Sequence, residues 1–136
     1  IDHGLIKIKT SDDIAVRLLN IYEALILILS EHMPHEASIE KTFVNKNPNS
    51  SLKLGHARGV ILLALAKKKL TCFEYAPNQI KKSIVGRGHA DKDQIATMVT
   101  MLLSKKIEGT SDVSDALAIA ITHAYQKHNK IAEFLS

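Results

Sequence analysis

The stretch that most constrains the fold of this chain is Thr110–His123, where two acidic residues precede an unbroken apolar run. Every residue from Ala116 to Ile121 is apolar, so a helix here must be covered by other parts of the protein on most of its sides. Asp112 and Asp115 are three positions apart, which places both carboxylates on one face at the start of that helix. The stretch therefore predicts a layered domain with two carboxylates at the edge of its core.

The acidic pair has two interpretations that the pattern alone leaves open. Ser111 is a good N-cap, and the helix dipole favours acidic residues in a first turn, so the pair can be purely structural. Two carboxylates held rigidly at the edge of a core are also the oxygen ligands that a divalent cation needs. A further carboxylate from another element would favour the metal site.

Composition limits the class of protein. The 136 residues are 46% apolar and 24% charged, which predicts one globular domain over residues 1–136 and excludes a disordered chain. The net charge of +4 and the pI near 9.2 fit a polyanionic partner without requiring one. The single Cys72 excludes a disulfide scaffold and a cysteine-based zinc site. The longest apolar run, Val60–Ala66, is too short to span a membrane, so we expect a cytoplasmic protein.

Hydrophobic periodicity predicts alternating strands and helices. The residues from Ile6 to Lys9 alternate between apolar and charged, which is typical of a half-buried strand. Further strands are predicted at 36–40 and 70–75, and helices at 14–31, from 50 or 51 to 69, from 76 to about 84, at 91–103 and from 111 onward. This alternation predicts an α/β layered domain.

Glu40 is a third acidic candidate because it ends a predicted strand. Sites in open α/β sheets form where strand ends meet helix termini. Two hard cations about 4 Å apart, held by three or four carboxylates, can activate a water and stabilise the leaving oxygen in phosphodiester hydrolysis. A solvated acid at the end of a strand is the alternative explanation for Glu40.

Five runs follow one known pattern in both residues and spacing. They are Ile39–Asn47, Ser51–Gly59, Phe73–Ala76, Lys81 with Val85-Gly86 and Asp91-Lys92, and Asp112–His123. In these runs the chain resembles the bacterial RuvC Holliday-junction resolvases. The resemblance implies a ribonuclease-H-like fold, with a mixed sheet flanked by helices, and a homodimer. It also implies Mg²⁺-dependent paired incision of four-way DNA junctions in recombination and repair, with Mn²⁺ as a substitute ion and a branch-migration motor as partner.

The resemblance also assigns roles to individual residues. Glu40 matches the family's catalytic glutamate, while Asp112 and Asp115 match the two acids of its last helix, so all three are expected to be catalytic metal ligands. Phe43 matches an aromatic residue that contacts junction bases, and Lys81 and Lys92 match basic residues that face the scissile phosphate. The residues expected to bind DNA are Phe43, Lys46, Arg58, Lys81 and Lys92.

The chain departs from the family pattern at its start. The family opens with a strand bearing Gly-Ile-Asp-Pro-Gly, whose Asp is the first metal ligand, whereas Gly4–Lys9 and the helix after it resemble the family's third strand and first helix. We therefore expect Asp2 to be a hairpin residue, and the first two strands and the fourth carboxylate to be missing. The alternative function is then a non-catalytic protein that binds junction DNA.

Two glycines on the second predicted helix suggest a subunit contact. Gly55 and Gly59 lie one turn apart, so another backbone can approach this face closely. We expect the helix of residues 50–69 to form the homodimer contact. Two active sites related by a two-fold axis would suit a junction with near two-fold symmetry.

Overall fold

The computed structural model describes residues 2–41, 47–86, 88 and 90–135. Within these ranges the chain forms five helices and a two-stranded sheet, which confirms the α/β class. In chain order the elements are α1 (Ile14–His32), β1 (Glu36–Glu40), α2 (Pro48–Lys67), β2 (Thr71–Tyr75), α3 (Pro77–Val85), α4 (Lys92–Leu103) and α5 (Ser111–Leu135). None of the helices in the described ranges is both long and apolar enough to cross a membrane.

Side-chain caps fix where two of the helices begin. The Asn47 side chain accepts hydrogen bonds from the backbone N–H groups of Asn49 and Ser50, at 3.0 and 3.4 Å, and Pro48 occupies the first helical position. Both features favour a helix start, so α2 begins at Pro48, two or three residues before the predicted start at 50 or 51. At α4, Asp91 and Gln94 form a reciprocal capping box, which confirms the predicted start.

The strand predicted at Ile6–Lys9 is wrong. The expected alternation is present, because Ile6 and Ile8 are half-buried while Lys7 and Lys9 are exposed. However, the only strands in the described ranges are β1 and β2, and neither pairs with this segment. Alternating exposure requires only that one side of the segment be covered, whereas a strand also needs a neighbour to pair its backbone N–H and C=O groups.

The described chain forms two compact units. The first unit consists of Ile1–Leu5, Ser38–Lys41 and Phe73–Ser136, and the second of Ile6–Ala37 and Thr42–Cys72. In the second unit α1 packs against α2. The single domain expected over residues 1–136 stays a prediction.

The first unit has its own hydrophobic core, formed where α3, α4 and α5 pack on one another. The core is aliphatic apart from Tyr75, and its buried members are Tyr75, Ile80, Ile84, Ala90, Ile95, Val99, Val113, Leu117 and Ala118. Helix α5 buries one face rather than most of its sides, because Ala116 and Ala120 remain exposed. On the buried face, the Thr122 hydroxyl donates to the Ala118 carbonyl at 2.8 Å.

The glycines of the two units differ in the space around them. Gly109, just before α5, has a φ of +125°, and a Cβ there would lie 2.9 Å from Cγ2 of Val113, so only glycine fits. A Cβ at Gly55 or Gly59 would meet no described atom within 4 Å. The close backbone neighbour expected at this face of α2 is therefore not supplied by the described residues, and the dimer contact stays a prediction.

Candidate active site

A cavity of about 530 Å³ in the first unit brings together four of the residues predicted from the sequence. Glu40 comes from β1, Lys81 from α3, Lys92 from α4 and Asp115 from α5. These four residues bring two carboxylates and two ammonium groups from four separate elements to the cavity, and Asp91 adds a third carboxylate. Its other lining residues are Pro77, Ile80, Ala90, Asp91, Ile95, Ala118 and Ile119.

Glu40 reaches the cavity because of its position at the end of β1. The first four residues of the strand are half-buried and Glu40 is exposed. The backbone N–H of the next residue, Lys41, donates to the Tyr75 carbonyl at 2.8 Å. This bond holds the end of β1 against the end of β2, so the backbone that carries Glu40 is fixed by the sheet.

Asp115 and Lys92 form the ion pair of this cavity. Lys92 Nζ lies 4.0 Å from Asp115 Oδ2, and the two side chains are 74% and 47% exposed. A pair this open to water contributes little to folding stability. Lys92 is also the first residue of α4, where its charge adds to the positive end of the helix dipole. The carboxylates of Asp115 and of Asp91, the N-cap of α4, offset this positive charge at the same corner of the cavity.

Asp112 does not line the cavity. Its Oδ2 accepts a hydrogen bond from the Thr110 hydroxyl at 3.4 Å, and its side chain is exposed. Asp112 and Asp115 are three residues apart on α5, and of the two only Asp115 lines the cavity. Across the described ranges, no three His, Cys, Asp or Glu residues are grouped closely enough to hold a metal ion. The structure thus brings Glu40 and Asp115 to one cavity without completing a cluster of three carboxylates with Asp112.

The remaining predicted DNA contacts lie elsewhere in the chain. Arg58 is a half-buried residue of α2, in the second unit, and is not part of the cavity lining. Phe43 and Lys46 lie outside the described residues. Their proposed roles rest on the sequence alone.

Asp91 also lines the cavity, although the sequence predicts for it only the start of a helix and a place in one of the RuvC-like runs. Its side chain lines the cavity and accepts the Gln94 backbone N–H at 2.8 Å. The signal in the sequence that could have identified Asp91 as a cavity residue is its position next to Lys92, a predicted DNA contact. Buried apolar residues form the rest of the lining on this side, among them Ile80, Ile95 and Ala118.

The family model described as "Crossover junction endodeoxyribonuclease RuvC" matches residues 1–123. The chain belongs to the RuvC family. RuvC of Afipia carboxidovorans is 49% identical over 126 residues, which is 93% of this chain and 74% of that protein. RuvC of Bradyrhizobium diazoefficiens is 52% identical over 124 residues, or 90% of this chain and 71% of that protein. Both are crossover junction endodeoxyribonucleases by name.

Solved structures of RuvC share this fold. Thermus thermophilus RuvC aligns with a TM-score of 0.85 and 28% identity, over 96% of this chain and 79% of that one. The same organism's RuvC in complex with a Holliday junction substrate aligns with a TM-score of 0.87 and 29% identity, over 93% and 78%. The expected ribonuclease-H-like fold is confirmed. As a RuvC-family member, the chain is an endodeoxyribonuclease that hydrolyses phosphodiester bonds, of the class that resolves Holliday junctions in DNA recombination and repair.

Proposed function

We propose that this RuvC-family chain binds four-way DNA junctions and cuts them by paired symmetric nicks, with Mg²⁺ held at Glu40 and Asp115. The observation that carries this proposal is the meeting of two carboxylates and two lysines at one cavity. Nucleases of this family are metal-dependent. The donor chemistry of the cavity favours a hard divalent cation.

The carboxylates of the cavity fit Mg²⁺. This ion usually binds proteins through one or two carboxylates, while waters and substrate phosphates complete its shell. Glu40 and Asp115 supply two such groups, and Asp112 lies one turn of α5 away. When bound, the ion supplies an activated water and neutralises charge on the reacting phosphate. Mn²⁺ has the same ligand preference and is the expected substitute.

The two lysines of the cavity have a separate role in the proposal. Lys81 and Lys92 would bind the scissile phosphate and offset the negative charge that develops on it. Contacts of this kind give affinity that falls steeply with salt and carry no base sequence information. Phe43, Lys46 and Arg58 are proposed as further DNA contacts. Junction recognition would then depend mainly on the shape of the DNA.

A homodimer fits the proposed paired incision. Two identical sites related by a two-fold axis match a substrate with near two-fold symmetry. The open face at Gly55 and Gly59 of α2 supports the proposed contact, since an added Cβ meets no described atom there. A branch-migration motor as partner and a cytoplasmic location complete the proposal.

The alternative inferred from the sequence is a protein that binds junctions without cutting them. In the described part of the chain, no group of three potential ligands is close enough to hold a metal ion. Cleavage of a labelled four-way junction with Mg²⁺ or Mn²⁺ distinguishes the two functions. Binding without nicks would support the second.

The test of the proposed site is Asp115→Asn, because the amide keeps the shape of the carboxylate and removes its charge. We expect junction cleavage to be lost and junction binding to remain. Asp93→Asn is the matched control, since Asp93 is an exposed residue of α4 that does not line the cavity. Retained cleavage in Asp115→Asn would refute the assignment.

A further inference from the structure

Strand β2 contacts helix α5 through three ring side chains in the first unit. Phe73 and Tyr75 are two residues apart, so both side chains lie on one face of β2. The His123 ring centroid lies 4.6 Å from that of Phe73 and 5.8 Å from that of Tyr75. The Tyr75 hydroxyl and His123 Nδ1 are joined by a hydrogen bond of 2.7 Å. His123 therefore contacts both rings of β2 and forms a directional hydrogen bond with one of them.

Tyr75 also holds the strand that carries Glu40. Its backbone carbonyl accepts the hydrogen bond from Lys41, the residue that follows Glu40. Its side chain is only 8% exposed, so its ring has little freedom to move. One residue thus bonds through its backbone to the end of β1 and through its side chain to α5.

His123 and Asp115 are two turns apart on α5, about 12 Å along the helix axis. His123 and Asp115 belong to one continuous α-helix, so the hydrogen-bonded backbone between them couples their positions. The other contacts of α5 in the core are small or aliphatic, such as Val113, Leu117 and Ala118. Such contacts are non-directional, whereas a hydrogen bond fixes both distance and angle.

We propose that the Tyr75–His123 hydrogen bond sets the position of α5 against the sheet, and thereby the spacing between Glu40 and Asp115. Tyr75 and His123 are positioning residues, since neither of them lines the cavity. This inference rests on the proposed function, because it concerns the two carboxylates assigned there to the metal. Loss of the bond should weaken metal binding and slow the cleavage step while leaving junction affinity unchanged.

The first experiment uses Tyr75→Phe, which keeps the ring and removes only the hydroxyl. We expect kcat for junction cleavage to fall about two- to ten-fold, the range that corresponds to one net hydrogen bond. We expect a matching loss of Mn²⁺ affinity, measured by calorimetry without DNA, and an unchanged Kd for the junction in the absence of metal. Tyr125→Phe is the control, because it makes the same change at a 41% exposed residue of α5.

A second pair of variants tests the bond from its other end. His123→Asn keeps a hydrogen-bonding group near the position of Nδ1, whereas His123→Leu removes it at similar volume. We expect His123→Asn to keep a higher kcat and Mn²⁺ affinity than His123→Leu. If Tyr75→Phe does not fold, as judged by circular dichroism, the two His123 variants test the positioning role. Equal kcat and equal Mn²⁺ affinity in the two variants would overturn the proposal.

The outcomes separate this inference from the proposed function. Wild-type values of kcat and Mn²⁺ affinity in folded Tyr75→Phe would overturn the positioning role while leaving the nuclease function intact. A wild-type protein that binds Mn²⁺ but does not cleave would overturn the proposed function. In that case reduced Mn²⁺ affinity in Tyr75→Phe would still support the positioning role, and unchanged affinity would overturn it.

Discussion

The two units of this chain differ in how much of their apolar surface is covered by their own residues. In the first unit, nine apolar residues form one buried cluster, and four of them also line the cavity. In the second unit, α1 has no buried residue and α2 buries only Ala64 and Leu65, while Leu27 and Leu63 are 70% and 61% exposed. The residues that line the cavity therefore lie on the better-covered unit of the two. Substitutions in the two units should therefore have different effects.

The largest effect is expected at the carboxylate on β1. Glu40→Gln keeps the size of the side chain and removes a charge proposed to hold the metal. We expect the cleavage rate to fall by at least about 100-fold, because a bound metal ion contributes several kcal/mol of transition-state stabilisation. Glu108→Gln, at an exposed position before α5, should cut at the wild-type rate. A cleavage assay on a labelled junction provides the measurement, and near-normal cleavage by Glu40→Gln would remove Glu40 from the site.

The next effect tests the comparison of the two units directly. Val99 is 0% exposed in the hydrophobic core of the first unit. Val99→Ala should lower the free energy of unfolding by about 2 kcal/mol, because buried apolar surface is lost and a cavity is left. Leu27→Ala, at a 70% exposed residue of α1, should change it by less than about 0.5 kcal/mol. Urea unfolding curves measure both. A larger loss for Leu27→Ala would mean that α1 is covered by something beyond the described residues.

A smaller effect separates the two roles of Asp91, which caps α4 and lines the cavity. Asp91→Ala should cost about 1 kcal/mol of stability, because the capping box is lost. Asp91→Asn retains an N-cap acceptor and should leave stability nearly unchanged. Thermal unfolding tests the stability, and a cleavage defect in Asp91→Asn at normal stability would show that its charge acts in the cavity.

The smallest effect concerns the exposed ion pair. Lys92→Met removes a charge that contributes little to folding, so stability should be unchanged. Junction affinity should weaken modestly, and the slope of log K against log salt should fall by about 1. Lys105→Met, at an exposed residue after α4, is the control for general charge loss. An unchanged slope for Lys92→Met would argue against a phosphate contact.

Local patterns in the sequence predicted most of the helices and the class of the fold. Asp91 marks the start of α4 through bonds to a residue three positions away, and such local chemistry is visible in the sequence. The predicted start of α2, at residue 50 or 51, is too late because the capping acceptor is the side chain of Asn47. The segment Ile6–Lys9 shows the limit of periodicity, since its exposure alternates while a pairing partner is a property of the whole fold.

The candidate site was predictable only in part. Glu40, Lys81, Lys92 and Asp115 were singled out from the sequence, through strand and helix ends and the RuvC resemblance, and the structure brings them to one cavity. Their mutual placement was not predictable, because it depends on contacts between distant residues. The Tyr75–His123 bond joins positions 48 apart, and no local periodicity predicts such a bond.

The positive φ at Gly109 limits which amino acids this position can accept. A library of random variants selected for folding should retain glycine there, because any larger residue combines an unfavourable φ with a collision against Val113. The same library should accept alanine at Gly55 and Gly59, where the methyl group meets open space in the described chain. Intolerance at those two helix positions would then report a second molecule lying against α2.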